Sequence, residues 1–447
     1  MPARQKGVTM KLIHNILETA KTIVFEKGRM IYYLNMRSFR KSRRQIESKP
    51  RKQKIRVGFM VQVPNNWAVL EPVYLAAQRD ASIEPVILLM PEVEFSYYIK
   101  IRKVDWESTY AFGQEKFQGD AVRLYEPETD TWKDPEELGL DYVFIPRPYE
   151  TYLPKMYKAS HLRRLCKVCY VPYSSPLLDD YRLLYNTHFI RNLSLIFCEK
   201  QYSYDYVTNL LGPTIASKDQ KVFCTGFPKF DLNQNGEGLE SPLWPRERSK
   251  DVQRVIWTPR WSMDPLLGAS SFMKYKDQMV TMAGAQPQMD LIFRPHPMAK
   301  MAMIRDGWMS EETWESYLDA YRKADNMAVD QSRAYYDLMW SSDVLVTDVS
   351  SMILDYLMTG HPLIYCVTPA MNTTSDDPKM AISELLPGLY VAREFADIEK
   401  YLKQLREGYD PKKEIRRQLA DEMRRDGKIG EHIVGLIRED YWQKDAT

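Results

Sequence analysis

Three stretches in the second half of the chain put polar and charged residues directly after short apolar runs. R-V-I-W is followed by Thr258 and Arg260, D-L-I-F by Arg294 and His296, and D-V-L-V by Thr347, Asp348, Ser350, Ser351 and Asp355. In the third stretch a helix is expected to begin around Ser350. Free backbone N–H groups and two hydroxyls would then meet at a helix start, which is an anion site. A helix cap uses one serine, so the second points to phosphate binding. His296 stands between two prolines, which fix its backbone. From there it can stabilise a leaving phosphate as a cation or hydrogen-bond donor, with Arg294 helping. Three strand ends offering Arg260, Arg294 with His296, and Ser350 with Ser351 make a pocket suited to a diphosphate.

The elements that must hold these residues repeat along the chain. From Ile55, short β-branched or aromatic runs alternate with amphipathic segments, the pattern of a parallel sheet covered on both faces. The reading is a basic helical extension over 1–54, a Rossmann-like acceptor-side domain over 55–232 and a linker over 233–250. A second Rossmann-like, nucleotide-donor domain spans 251–410 and a charged helical tail 411–447. Two such domains facing a cleft correspond to the glycosyltransferase-B architecture, an α/β fold, with ligands held at strand C-termini.

The apolar and charged fractions, 44% and 27%, are those of a globular protein and exclude disordered and fibrous classes. The net charge of +2 conceals an asymmetry: residues 1–56 hold sixteen Lys and Arg against three Asp and Glu, so the remainder is acidic. Between Thr9 and Leu34 apolar residues recur at helical spacing, and the basic cluster follows. This combination suits an anionic membrane surface, and no nucleic-acid-binding motif accompanies it. No secretory signal or membrane span is read, so a cytoplasmic protein peripheral to the inner membrane face is expected. Five cysteines lie mostly in strand-like runs. Cys166 and Cys169 have CxxC spacing without a second pair, so core packing is expected rather than a metal or redox site. Neither a metal nor another cofactor is expected.

The set T-G-F-P-K-F-D (Thr225 to Asp231), W-T-P-R-W (Trp257 to Trp261), R-P-H-P (Arg294 to Pro297) and T-D-V-S-S-M-I-L-D-Y (Thr347 to Tyr356) resembles the CDP-glycerol glycerophosphotransferase family. These are the teichoic acid primases and polymerases. The resemblance implies a CDP-polyol donor and transfer of glycerol or ribitol phosphate to a hydroxyl of a lipid-linked cell-envelope glycan, releasing CMP. It matches His296 to the family's histidine beside the donor pyrophosphate, and Ser350 and Ser351 to its phosphate-binding serines. Asp348 and Asp355 match acidic positions of the same motif. The family's first-domain motif W-H-G-T-P-L carries a histidine proposed as the base; here V-P-Y-S-S-P-L puts Tyr173 at that place. A phenol of pKa about 10 is a poor base at neutral pH, which leaves Asp179, Asp180 and His188 as candidates. Two other readings stay open: a nucleotide-sugar glycosyltransferase for envelope polysaccharide, and a catalytically silent nucleotide-binding partner in envelope assembly.

Overall fold

The computed structural model describes residues 37–95, 102–145, 147–175, 185, 187–216, 219–232, 236–264, 270–332, 335–368 and 381–442. The amphipathic stretch from Thr9 to Leu34 lies outside them. Seven parallel strands build the first sheet: β1 (Ile55–Val61), β2 (Ile83–Leu89), β3 (Ala121–Arg123), β4 (Tyr142–Ile145), β5 (Lys167–Tyr170), β6 (Leu195–Cys198) and β7 (Lys221–Cys224), in the order β3-β2-β1-β4-β5-β6-β7. Six build the second: β8 (Gln253–Thr258), β9 (Met289–Phe293), β10 (Met327–Val329), β11 (Val344–Thr347), β12 (Leu363–Cys366) and β13 (Tyr390–Ala392), in the order β10-β9-β8-β11-β12-β13. Each sheet is doubly wound, and its strand order reverses beside its first strand. The crevice at that reversal is where such sheets bind ligands.

The central strands read V-F-I, L-I-F-C and V-I-W because both faces are covered, so every residue in them must be apolar or paired. One core lies on the outer face of the first sheet around Val143, Val168 and Ile196. A second lies on the outer face of the other sheet around Trp257, Phe272 and Phe293. The third joins the domains: Phe59, Phe144 and Phe197 share one apolar cluster with Ile256, Leu345 and Ile353. Cys166, Cys169, Cys198 and Cys366 are buried and all five thiols are free; burial pushes the Cys166 thiol up to about 12.

Among the helices that pack around the sheets and their junction are α1 (Trp67–Arg79), α2 (Gln201–Ala216), α3 (Phe272–Gly284), α4 (Met352–Leu357), α5 (Lys413–Arg424) and α6 (Ile429–Trp442). Helix α6 returns to the first domain and lies against α1, closely enough that a Cβ on Gly430 would come 2.5 Å from the Pro72 carbonyl oxygen. Its far end is pinned by Asp440, buried under the sheet. There Asp440 takes Lys167 Nζ at 2.7 Å, Lys221 Nζ at 2.7 Å and the Tyr142 hydroxyl at 2.7 Å. Residues 236–250 run along the second domain: Trp244 Nε1 donates to Ser341 Oγ at 2.8 Å, and Arg246 Nε donates to Asp290 at 2.7 Å.

Residues 37–47 form a helix docked on the first domain. Phe39 is buried beneath the Arg163 guanidinium, and Arg40 and Arg43 reach Asp219 at 2.6 and 3.3 Å. Part of the basic run therefore attaches the chain to its own fold. Among the described residues no helix is long and apolar enough to cross a membrane.

Candidate active site

At the reversal point of the second sheet, β8 and β11 lie side by side with Thr258 opposite Thr347. Both threonines are buried; Thr347 Oγ1 donates to the Thr258 carbonyl at 2.6 Å, and Thr258 Oγ1 faces Met352 Sδ at 3.6 Å. Their hydroxyls hold the floor of the crevice together. Asp348 is fully buried behind that floor. One carboxylate oxygen accepts from the Arg260 N–H at 2.7 Å, the other from the Ser271 N–H and Ser271 Oγ, each at 2.7 Å. Desolvation raises its pKa, against the pull of these bonds and of the Arg260 charge. Asp348 thus ties the W-T-P-R loop and the start of α3 to the end of β11; its oxygens face protein donors.

Arg260 is the cation this loop presents. Its Nη1 donates to the Val349 carbonyl at 2.9 Å, which sets the guanidinium beside the Ser350–Ser351 turn. Its Nε is buried with no partner among the described residues. A buried donor left unmet costs free energy. Ser350 Oγ accepts from the Met352 N–H at 3.3 Å, a bond within the turn that precedes α4, whose N-cap is Ser351. Ser351 is exposed, and its side chain makes no cap hydrogen bond. The two serines therefore divide: one shapes the turn and the other offers a hydroxyl.

His296 follows β9, with its ring 6.2 Å from that of Trp261. The residue as a whole is exposed, while protein packs around part of its ring. Desolvation, then the charges of Arg260 and Arg294, push its pKa down to about 4. Its Nδ1 accepts from the Met298 N–H at 3.1 Å, so in the neutral ring the proton sits on Nε2. His296 is then a neutral hydrogen-bond donor within the field of two guanidinium groups. Arg294 behaves differently from Arg260. It pairs with Asp330, donates to the Ser332 carbonyl at 3.1 Å, and rests 4.6 Å above the Tyr335 ring. Its charge is met by protein, and it organises the segment after β10. Asp355 points away from the serine turn: its Oδ2 takes Lys229 Nζ at 2.6 Å and the Tyr335 hydroxyl at 2.8 Å.

Across the crevice, Tyr173 lies within electrostatic reach of Arg260. Its hydroxyl shares a 3.0 Å hydrogen bond with that of Tyr149, whose pKa burial and this contact raise above the ordinary phenol. The loop carrying Tyr173 is held by Glu199, at the end of β6. Ser175 Oγ donates to this buried carboxylate at 2.6 Å, Ser203 Oγ at 2.6 Å and the Tyr185 hydroxyl at 2.7 Å. His188 is exposed, its Nδ1 3.7 Å from Glu150 Oε2. Asp179 and Asp180 lie outside the described residues. Among the described residues, no group of three or more His, Cys, Asp or Glu side chains is placed to hold a metal ion. Glu199, Tyr149 and Tyr335 hold parts of the candidate site and were missed by sequence reasoning. Glu199 is legible only as a charge at the end of an apolar run, and the two tyrosines fall in irregular segments with no motif.

The fold has many solved counterparts. A putative UDP-N-acetylglucosamine 2-epimerase from Listeria monocytogenes superposes with a TM-score of 0.56 at 11% identity over 88% of this chain and 98% of that one. The corresponding epimerase from Neisseria meningitidis, bound to UDP-GlcNAc, gives 0.54 at 13%, over 86% and 100%. The wall teichoic acid polymerase TagF gives 0.52 at 14%, over 93% and 96%. At these identities the likeness establishes the two-domain glycosyltransferase-B fold. No curated protein sequence matches the chain. The model of the CDP-glycerol:poly(glycerophosphate) glycerophosphotransferase family matches residues 200–439, more than half of the chain and all of the crevice floor; the chain belongs to that family, and its reaction is of the CDP-glycerol glycerophosphotransferase type.

Proposed function

We propose that the protein transfers a polyol phosphate, glycerol or ribitol phosphate, from a CDP-linked donor to a hydroxyl of a lipid-linked cell-envelope glycan. The acceptor oxygen attacks the phosphorus that bears the polyol, its bond to CMP breaks, and CMP leaves as the acceptor gives up its proton. The observation that carries this reading is the meeting of Arg260, the neutral His296 and the free Ser351 hydroxyl at adjoining strand ends of the matched domain. Transfer to phosphorus needs positioning and charge stabilisation more than covalent help from the protein, and these groups supply both. Thr258 and Thr347 support the floor, Asp348 holds the Arg260 loop, and Arg294 and Asp355 hold the surrounding segments. The acceptor enters against the first domain near Tyr173, and the basic N-terminal region faces an anionic membrane surface from the cytoplasmic side. A teichoic-acid-like polymer fits this chemistry.

One observation favours a nucleotide-sugar reaction instead. Tyr173 replaces the family's histidine, and its hydroxyl bonds to another tyrosine rather than to a group that would activate it. The test is release of CMP from CDP-glycerol and CDP-ribitol with a lipid-linked glycan acceptor. Acceptor-dependent release should fall by about 10²–10³-fold in His296→Ala, the loss typical of one transition-state donor. Release of the nucleoside diphosphate from a nucleotide-sugar, with no CMP released from any CDP-polyol, would establish the second reading.

A further inference from the structure

The motif Thr225 to Asp231 takes no part in the crevice contacts, yet it sits where three parts of the molecule meet. Gly226 has φ +92°, and a Cβ there would come 2.8 Å from the Met423 carbonyl oxygen on α5. The Asp231 carboxylate accepts the N–H groups of Ile429 and Gly430, at 3.1 and 2.7 Å, at the start of α6. Lys229 reaches into the second domain. Its Nζ lies 2.6 Å from Asp355 Oδ2 and 3.3 Å from the Tyr335 hydroxyl, and that hydroxyl donates to the same carboxylate oxygen at 2.8 Å. Burial would drive the ammonium towards neutrality; Asp355 and Tyr335 outweigh it and hold Lys229 charged, above its ordinary value.

Both partners of Lys229 adjoin parts that line the donor crevice. Asp355 is on α4, one turn past Ser351, and the Tyr335 ring lies under the Arg294 guanidinium at 4.6 Å. A buried ion pair adds little net stability over apolar residues of the same shape, so its use at this junction calls for another reason, and fixing position is the best attested. We propose that Lys229 is a positioning residue for the donor pocket: through Asp355 it fixes the turn that presents Ser350 and Ser351, and through Tyr335 the ring on which Arg294 rests. The inference rests on the donor reading and deepens it, because it makes the joint between the domains part of the donor site.

The experiment is calorimetric binding of CDP to wild type, Lys229→Arg, Lys229→Met and the double variant Lys229→Met with Asp355→Asn, each also unfolded in urea. The single Met variant leaves Asp355 buried without its cation and is expected to lose stability. The double variant removes both charges, keeps an acceptor for Tyr335, and is expected to unfold near the wild-type midpoint. It should still bind CDP about tenfold more weakly, as a slightly displaced site does, while Lys229→Arg stays within about threefold of wild type. A merely structural residue would lose affinity only in step with stability. A double variant that binds CDP as tightly as wild type overturns the inference alone; a wild type that binds no CDP overturns the donor reading and the inference together.

Discussion

At the reversal point of the second sheet, short buried side chains close the crevice floor: Thr347 donates to the Thr258 carbonyl, and Asp348 takes three donors from Arg260 and Ser271. The corresponding point of the first sheet, after β1 and β4, is closed by longer groups. Arg147 donates to Gln62 Oε1 at 3.0 Å and pairs with Glu92, and its guanidinium lies 5.9 and 5.5 Å from the rings of Tyr149 and Tyr152. One strand order thus supports two kinds of site. The second-domain side is pre-set by buried bonds to backbone groups, the rigidity that charge stabilisation asks of a site. The first-domain side is aromatic and held by contacts between side chains.

The sharpest way to break this comparison is to release the pre-set side. Asp348→Ala leaves the N–H groups of Arg260 and Ser271 without their acceptor in a buried place. Each unmet donor costs about 1–3 kcal/mol, so urea unfolding should show a loss of about 3 kcal/mol together with a fall in CDP affinity. The matching change in the first domain, Glu92→Gln, touches a pair with Arg147 largely buried and Glu92 partly exposed, and should cost less, about 1 kcal/mol. Equal losses at both positions would remove the distinction between the two sides.

A smaller effect is expected at Tyr173. If its hydroxyl serves only to hold Tyr149 and line the acceptor side, Tyr173→Phe should slow CMP release by less than about threefold. A general base contributes about 10²–10⁴-fold. A loss of that size would make Tyr173 the base and give the acceptor side a pre-set element of its own.

How much of this was legible differs between the same two regions. The second domain could be read closely because its candidate residues follow strands directly: Thr258, Arg260, His296, Ser350 and Ser351 are all within four residues of a strand end. What the sequence did not separate was which charges face the crevice and which are met by protein. Arg294 and Arg260 look alike as residues after a strand. They part only because Asp330, Ser332 and Tyr335, far along the chain, gather around one and leave the other with an unpaired Nε. Asp348 and Asp355 are likewise turned towards partners that no local spacing announces. In the first domain the strands were readable, but Glu199 and Tyr149 were not, since a network of hydroxyls from four segments exists only after folding. Lys229 stood in a motif that carried the family resemblance, and its partner Asp355 is 126 residues away.

The finest test of the donor side is the titration of His296. Its folded pKa, about 4, lies below the unfolded value of about 6.5. Between those pH values the unfolded chain holds a proton that the folded chain does not. His296 therefore takes stability away as pH falls from about 6.5 towards 4 and has no such effect above that window. Following its ring proton by NMR should show no titration near 6.5 in wild type. Arg260→Met should move the titration upward by removing one of the two guanidinium charges, with burial and Arg294 still opposing protonation. A bound diphosphate brings negative charge into the same space, so CDP should also raise the pKa, and binding near pH 5.5 should take up a fraction of a proton. A His296 that titrates at 6.5 in the free protein would mean that its inner side is solvated and that Arg260 is too far away to act on the donor phosphate.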